Sequence, residues 1–516
     1  MLAGLDEDGE EAKLEVTWEE AAPLLGPVGS QSTPRHGMRV APSRHALLHE
    51  QDQGLLSPKA FLHECKKLMA LAMPVTYSAT LSYGIGLIGV LFVGRLGELP
   101  LSVALLGISL HNVTGYAIVS GFSGVLETVC GQANGAQHYA SVGLALQRAI
   151  LLALALCGLI SGVWLLGAER MILAMGQDPE IARHAALFLR LTCPALFGEG
   201  LMSVLVRYLQ AQGRVWPPVV SSTVAALLAP LIYWLLMFRA GLGLRGAAIS
   251  MSAVQLLLLA VLAVLVQRHH AALRGSPRQV WHGWSAAALR GWGVYARLGL
   301  PSVAMNVVEW SAFEVCVIEA GWLPRPEISL AVMGLSLNIT TFLYMIPMGI
   351  GAGCSTRVSN ALGAGLPRAA RRAALSALAL GLASQLAVAA RGPMLVVCGA
   401  MLNDGVNAVA GGMLRGAGRQ NLGAISMIVC YWGAAVPLGY ALAFHGPRLG
   451  VAGLWWGLLG AGLVMVAFNL GMAARTDWER QAQNAAKTLA AQGTGPVPLE
   501  DDDDEENAGH HFVVDP

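Results

Sequence analysis

The chain has 516 residues, 55% of them apolar and 13% charged, with a formal net charge of +1. A soluble protein carries about 25% charged residues. Of the 32 acidic residues only 11 lie between Leu68 and Arg475, and all five lysines (Lys13, Lys59, Lys66, Lys67 and Lys487) lie outside that stretch. Such a stretch cannot cover soluble domains with charged faces, and its mean hydropathy pulls the whole chain to +0.56. It has no lysine to serve a phosphate-binding loop, and the chain has no basic footprint for nucleic acid. The eight cysteines show no metal-binding spacing, and no cofactor or metal motif is present. The acidic start of the chain lacks the basic and apolar regions of a signal peptide. The composition predicts an all-α polytopic membrane protein.

A spanning helix needs about 20 mostly apolar residues. Twelve such segments follow in order, at about 68–94, 103–126, 141–166, 185–208, 216–238, 246–267, 296–321, 328–353, 369–390, 393–414, 422–444 and 450–474. An even number puts both termini on one side. Twelve arginines in the loops on that side against eight on the other, with Lys66 and Lys67 before the first span, place both termini in the cytosol. Residues 1–60 and 476–516 read as acidic, disordered cytosolic tails, the second containing the run Glu500 to Glu506. Glu20-Ala-Ala-Pro-Leu24-Leu25 fits an acidic-dileucine sorting pattern.

The chain repeats itself. Leu-Ala-Met-Pro74 aligns with Leu-Gly-Leu-Pro301, and Thr128…Gly135 with Thr356…Gly363, a shift of 227–228 residues. Further on, Gly213-Arg214 aligns with Gly418-Arg419, a shift of 205. Two six-helix lobes in parallel orientation follow: an N-lobe at 61–270 and a C-lobe at 296–475, joined by a cytosolic loop at 271–295. The fall in the shift means that the C-lobe lacks 21–23 residues between 363 and 414, where span 9 runs through Arg391-Gly392-Pro393 into span 10. Transporters built from repeats place the substrate path between the halves, near the midplane.

A carboxyl inside a membrane is costly and marks a functional hypothesis. Glu199, Glu309, Glu314, Glu319 and Asp404 lie inside spans. Glu309 and Asp404 sit near the middles of spans 7 and 10. Burial and a second carboxyl nearby both hold protons on such groups, so a site near neutrality can exchange a proton for a cationic substrate. Glu314 stands about 140° around the helix from Glu309. Glu199 occupies the position in the first half that Asp404 occupies in the second, and reads as structural. Glu319 lies near the outer end, within reach of water, and Glu127 at the inner end of span 2 reads as structural. Around the acids lie Asn306, Trp310, Phe313, Phe342, Asn338, Tyr344, Met345 and Met348. Aromatic faces hold flat cations and methionine adapts to varied shapes. The pair His269-His270 reads as solvated in a basic loop.

Residues 60–475 resemble the multidrug and toxic compound extrusion (MATE) transporters, in particular their plant and algal DETOXIFICATION-like branch. The likeness rests on Phe92-Val-Gly-Arg-Leu-Gly-Glu-Leu99, Leu126-Glu-Thr-Val-Cys-Gly-Gln-Ala133, Arg207-Tyr-Leu-Gln-Ala-Gln212, Glu309-Trp-Ser-Ala-Phe-Glu314, Tyr344-Met-Ile-Pro-Met-Gly349, Ser355 to Gly365, and Gly412-Met-Leu-Arg-Gly-Ala-Gly-Arg-Gln420. It implies a monomer of two lobes that opens alternately to each side of a vacuolar or plasma membrane. It implies export of small organic cations, xenobiotics or secondary metabolites in exchange for protons, with sodium the alternative coupling ion. Glu309, Glu314 and Asp404 fall on the coupling positions, and Asn306, Trp310, Phe313, Asn338, Tyr344 and Met345 on the cavity. Span 1 has no acid, so the resemblance assigns any proton site to the second lobe. Two alternatives stand beside this reading. One is a transport-deficient variant of the fold, because the shortened join lies directly before Asp404. The other is a related lipid-linked sugar flippase. No motif of an intramembrane enzyme is present.

Overall fold

The computed structural model describes residues 58–389, 395–445 and 447–491. Residues 1–57 of the first tail, the dileucine pattern, the acidic run near the end and the Arg391-Gly392-Pro393 join lie outside the described residues; residues 58–60, read as tail, begin the first helix. The described residues of all twelve spans read from the sequence form helices: α1 (Pro58–Gly94), α2 (Glu98–Gly135), α3 (Tyr139–Ala174), the two-part α4 (Pro179–Leu191 and Cys193–Ala211), α5 (Trp216–Arg239), α6 (Gly243–Ala272), α7 (Trp292–Gly321), α8 (Pro326–Gly363), α9 (Pro367–Ala389), α10 (Leu395–Gly416), α11 (Gln420–Phe444) and α12 (Val451–Arg475). Eight of these pass by length and apolarity alone as membrane-crossing helices, and α4, bent by 47° at Thr192, makes nine. Of the other three, α7 carries three glutamates, while α9 and α10 flank the undescribed join. Within the stretch read as the second tail, a further helix, α13 (Trp478–Ala491), packs on α8 and α9.

The repeat seen in the sequence governs local geometry. Pro74 in α1 and Pro301 in α7 each interrupt a long helix at matching positions, where proline removes a backbone bond. The turn after α4 and the turn after α10 use Gly213 (φ 72°) and Gly418 (φ 70°), again repeat partners. The turn after α8 uses Gly365 at φ 71°, but its partner after α2 is Gln137 at φ 62°, a conformation disfavoured for a side-chain-bearing residue.

The lobes meet by the same symmetry. A side chain at Gly121 of α2 would run into Val303 of α7, and one at Gly349 of α8 into Thr76 of α1. These two contacts are copies of each other. On the symmetry axis itself α2 and α8 cross, where Gly131 lies against its own repeat partner, Ser359. On either side of that crossing Gly135 meets Asn360 and Gly363 meets Gln132. Small residues let helix backbones approach closely in a bilayer. The closest approach lies on the side where the described chain begins and ends, called the terminal side here.

The shortened join removes protruding length, not the ability to span. The helices α9 and α10 have 23 and 22 residues, against 36 in α3. At 1.5 Å per residue they still reach about 33–35 Å, enough for a hydrocarbon core of about 30 Å.

The linker between the lobes is docked onto the N-lobe. The Gln147 amide of α3 donates to the Gly283 carbonyl (2.7 Å) and accepts from the Ser285 N–H (2.9 Å). Trp281 stacks on His270 at 5.4 Å between centroids, and Tyr208 lies 2.7 Å from the same ring. The expectation of solvated histidines is therefore wrong: His269 is 8% exposed, because the linker folds back and its tryptophan covers the end of α6.

Candidate functional site

The two helices that carry Glu309 and Asp404 are held together by α11. The Tyr431 hydroxyl of α11 donates to Asp404 Oδ1 at 3.3 Å, and the Phe313 ring of α7 packs on the Tyr431 ring at 6.0 Å. Glu309, Asp404 and Tyr344 lie close enough to feel one another's charge, and Arg415 acts on both Glu309 and Tyr344. Glu309, Asp404 and Tyr344 are each half-buried. Three helices of the C-lobe, α7, α8 and α10, thus bring two carboxyls and a phenol within electrostatic reach of one another, with the Arg415 guanidinium within reach of Glu309 and Tyr344.

The predicted lining residues divide. Asn306 donates to Ser120 of α2 at 3.2 Å, and Trp310 packs on Tyr116 of α2 at 6.1 Å. Asn338 accepts from the Tyr83 hydroxyl of α1 at 2.7 Å and donates to the Gly334 carbonyl at 2.8 Å. These three therefore sit between the lobes. Glu314 lies against Ser109 of α2, also between the lobes but apart from Glu309. Met345 is 9% exposed and packs in the interior. Glu319, expected to reach water, is 4% exposed, because the end of α7 is covered by its neighbours in the C-lobe.

Next to the acid group, on the terminal side, two sets of ion pairs join the lobes. Glu64 of α1 receives both Nε (2.8 Å) and Nη2 (2.9 Å) of Arg357 of α8. Glu127 of α2 receives Arg415 Nε of α10 at 2.9 Å and also binds Arg207 of α4. Beside them the Thr128 hydroxyl donates to the Arg415 carbonyl, Gln420 donates to Thr128 at 2.8 Å, and Asn360 donates to the Ala211 carbonyl at 3.1 Å. Neither Arg415, one of the twelve arginines counted in the loops on the terminal side, nor Tyr431 stands out in the sequence. The available signal for Arg415 was its place at the end of an apolar span that also carries Asp404.

The N-lobe holds a second buried polar group that the sequence did not reveal. His111 of α2 is 0% exposed, and its ring contacts Glu199 and Thr192 of α4. Among the described residues no group of three or more His, Cys, Asp or Glu side chains is arranged to hold a metal ion.

Comparison with known proteins agrees with this architecture. The MatE family profile matches residues 74–235 and 301–397, whose starts repeat the 227-residue shift. Protein DETOXIFICATION 17 of Arabidopsis thaliana is 32% identical over 86% of this chain and 96% of its own length. Multidrug and toxin extrusion protein 1 of Xenopus tropicalis is 30% identical over 85% of this chain and 79% of its own. The crystal structure of the eukaryotic MATE transporter AtDTX14 superposes with a TM-score of 0.76 at 31% identity, covering 83% of this chain and 99% of that one. The chain belongs to the MATE family of multidrug and toxin extrusion transporters, within its DETOXIFICATION-like branch, and has that family's two-lobe fold of twelve transmembrane helices.

Proposed function

We propose that the chain exports organic cations or related xenobiotics in exchange for protons, through alternating access between its lobes. One observation carries this reading: Glu309 lies within electrostatic reach of both Asp404 and Arg415, and Arg415 also closes the terminal side on Glu127. A proton on Glu309 changes what Arg415 is drawn to, so proton occupancy acts on the latch between the lobes. A cationic substrate competes for the same carboxylates. Asn306, Trp310 and Asn338, at the lobe interface, offer it hydrogen bonds and an aromatic face. The retained pairing of Asp404 with Tyr431 supports transport competence despite the shortened join. Both termini lie in the cytosol in this reading, so the closed terminal side is the cytosolic one.

The test is uptake of a fluorescent organic cation into vesicles under an imposed pH gradient, for the wild type and Glu309→Gln. Gradient-driven uptake that the substitution abolishes supports the reading. Uptake that persists in Glu309→Gln places the coupling elsewhere.

A further inference from the structure

His111 is fully buried in the middle of the N-lobe. Its Nδ1 lies 3.1 Å from the Thr192 hydroxyl and its Nε2 lies 3.0 Å from Glu199 Oε2. The same Thr192 hydroxyl lies 2.9 Å from the Leu189 carbonyl. A hydroxyl has one proton and can donate to only one of these at a time.

The two choices define two protonation states with the same heavy-atom positions. With the hydroxyl donating to Nδ1, the imidazole is neutral and its Nε2–H donates to an ionised Glu199. The pair then carries one negative charge. With the hydroxyl turned to Leu189, its oxygen accepts from Nδ1–H while Nε2 and Glu199 still share a proton between them. The pair then carries one more proton and no net charge. Every donor and acceptor on the His111 ring is satisfied in both states, and only the Thr192 hydroxyl turns. The Leu189 carbonyl keeps the Thr192 backbone N–H at 3.2 Å when the hydroxyl leaves it. A buried group that merely braces two helices needs only one of these patterns.

The surroundings fit a site that loads and unloads. Glu199 has 12% of its side chain exposed, while His111 has none, so water reaches the pair at the carboxyl. His111 directly precedes the widened helical turn Asn112–Tyr116, a π-bulge of a kind frequent at functional sites. Thr192 is the residue at which α4 bends by 47°. The other titratable groups facing the pair are Tyr116 of α2, Cys157 of α3 and Tyr233 of α5, with Arg207 of α4 acting through Tyr116.

We infer that His111, Glu199 and Thr192 form a proton-binding site in the N-lobe, separate from the acid group of the C-lobe. The reaction is proton binding alone: the site gains one proton from water and Nδ1 ends protonated, while the Thr192 hydroxyl keeps its own proton and turns its O–H from Nδ1 to the Leu189 carbonyl. The site deepens the proposed antiport but does not depend on it, since proton binding is measurable without transport.

The experiment is a pH titration of the purified transporter in lipid nanodiscs. It follows the carboxyl C=O stretch in the infrared and the ¹⁵N signals of labelled histidine, for wild type, His111→Gln, Glu199→Gln, Thr192→Val and Glu309→Gln. Glu199→Gln keeps the fold, because its amide can donate to Nε2 in place of the shared proton. The expected result is one ionisation step, absent in both His111→Gln and Glu199→Gln, retained in Glu309→Gln, and displaced in Thr192→Val, which loses the hydroxyl that Nδ1 needs. Identical titrations of wild type and folded Glu199→Gln between about pH 5 and 9 would overturn the proposal. If the step is present but Glu309→Gln transports normally, the N-lobe site stands and the C-lobe reading falls.

Discussion

Arg415 of α10 reaches across the lobe boundary to Glu127 of α2 at 2.9 Å, while Arg207 of α4 holds the same carboxylate from within the N-lobe. One carboxylate thus serves two guanidiniums, and only one of them belongs to the opposite lobe. Both glutamate and arginine side chains are largely buried, at 7% and 21% exposure, so water competes weakly for either.

Glu127→Gln removes the charge that attracts Arg415 and leaves two cations facing each other. Hydrogen bonds to charged groups contribute about 1.5–3 kcal/mol, which shifts an equilibrium by roughly 10- to 150-fold. Spin labels at Ala140 and Arg368, both exposed near the terminal side, should show a longer distance population in Glu127→Gln than in wild type. Unchanged distances would mean that Glu127 stabilises its own lobe only.

The Glu64–Arg357 pair is bidentate, and its glutamate side chain is 6% exposed. A fork of two parallel bonds is more specific than a point charge. Arg357→Lys should therefore weaken the closed state although the charge remains. A double-mutant cycle with Glu64→Gln, read by thermal unfolding in detergent, should give a coupling of about 1–3 kcal/mol. A coupling near zero would show that the pair contributes no more than an exposed surface contact.

Tyr431 holds Asp404 through one 3.3 Å hydrogen bond, and its ring packs at a tilt on Phe313. Tyr431→Phe keeps the packing and loses the bond, so gradient-driven uptake should fall by roughly fivefold, the scale of about 1 kcal/mol. Asp404→Asn should abolish uptake. Equal loss in both variants would instead assign Tyr431 a direct part in proton transfer.

The repeat-related turns offer a stability test outside the site. Gly365→Ala places a side chain at φ 71° and should cost about 1–2 kcal/mol. Gln137→Gly relieves the same strain in the other lobe and should raise the melting temperature. A fall in melting temperature for Gln137→Gly would show that the Gln137 side chain makes a compensating contact.

The twelve helices were legible because a bilayer demands long apolar runs, and no soluble fold would tolerate so few charges between Leu68 and Arg475. The repeat was legible because Pro74/Pro301 and Gly213/Gly418 solve the same backbone problem twice. Glu309 and Asp404 stood out because an acid within a span is rare. The partners of those acids did not stand out. Tyr431 is one of many aromatics in apolar segments, and Arg415 sits where a loop arginine would sit. His111 was hidden by distance, since its two partners lie 81 and 88 residues away on a helix that bends at one of them.

The crossing of α2 and α8 at Gly131 and Ser359 has a structural consequence. With no side chain at Gly131 the two backbones sit close, with only the small Ser359 side chain between them and one side-chain bond, from Asn134 to Asn360 at 3.3 Å, beside the crossing. The crossing is thus a place where each lobe is copied directly onto the other, so a substitution there falls on both halves of the interface at once: Gly131→Leu should destabilise the joined lobes more than Gly94→Leu, where no neighbour lies within reach of a side chain.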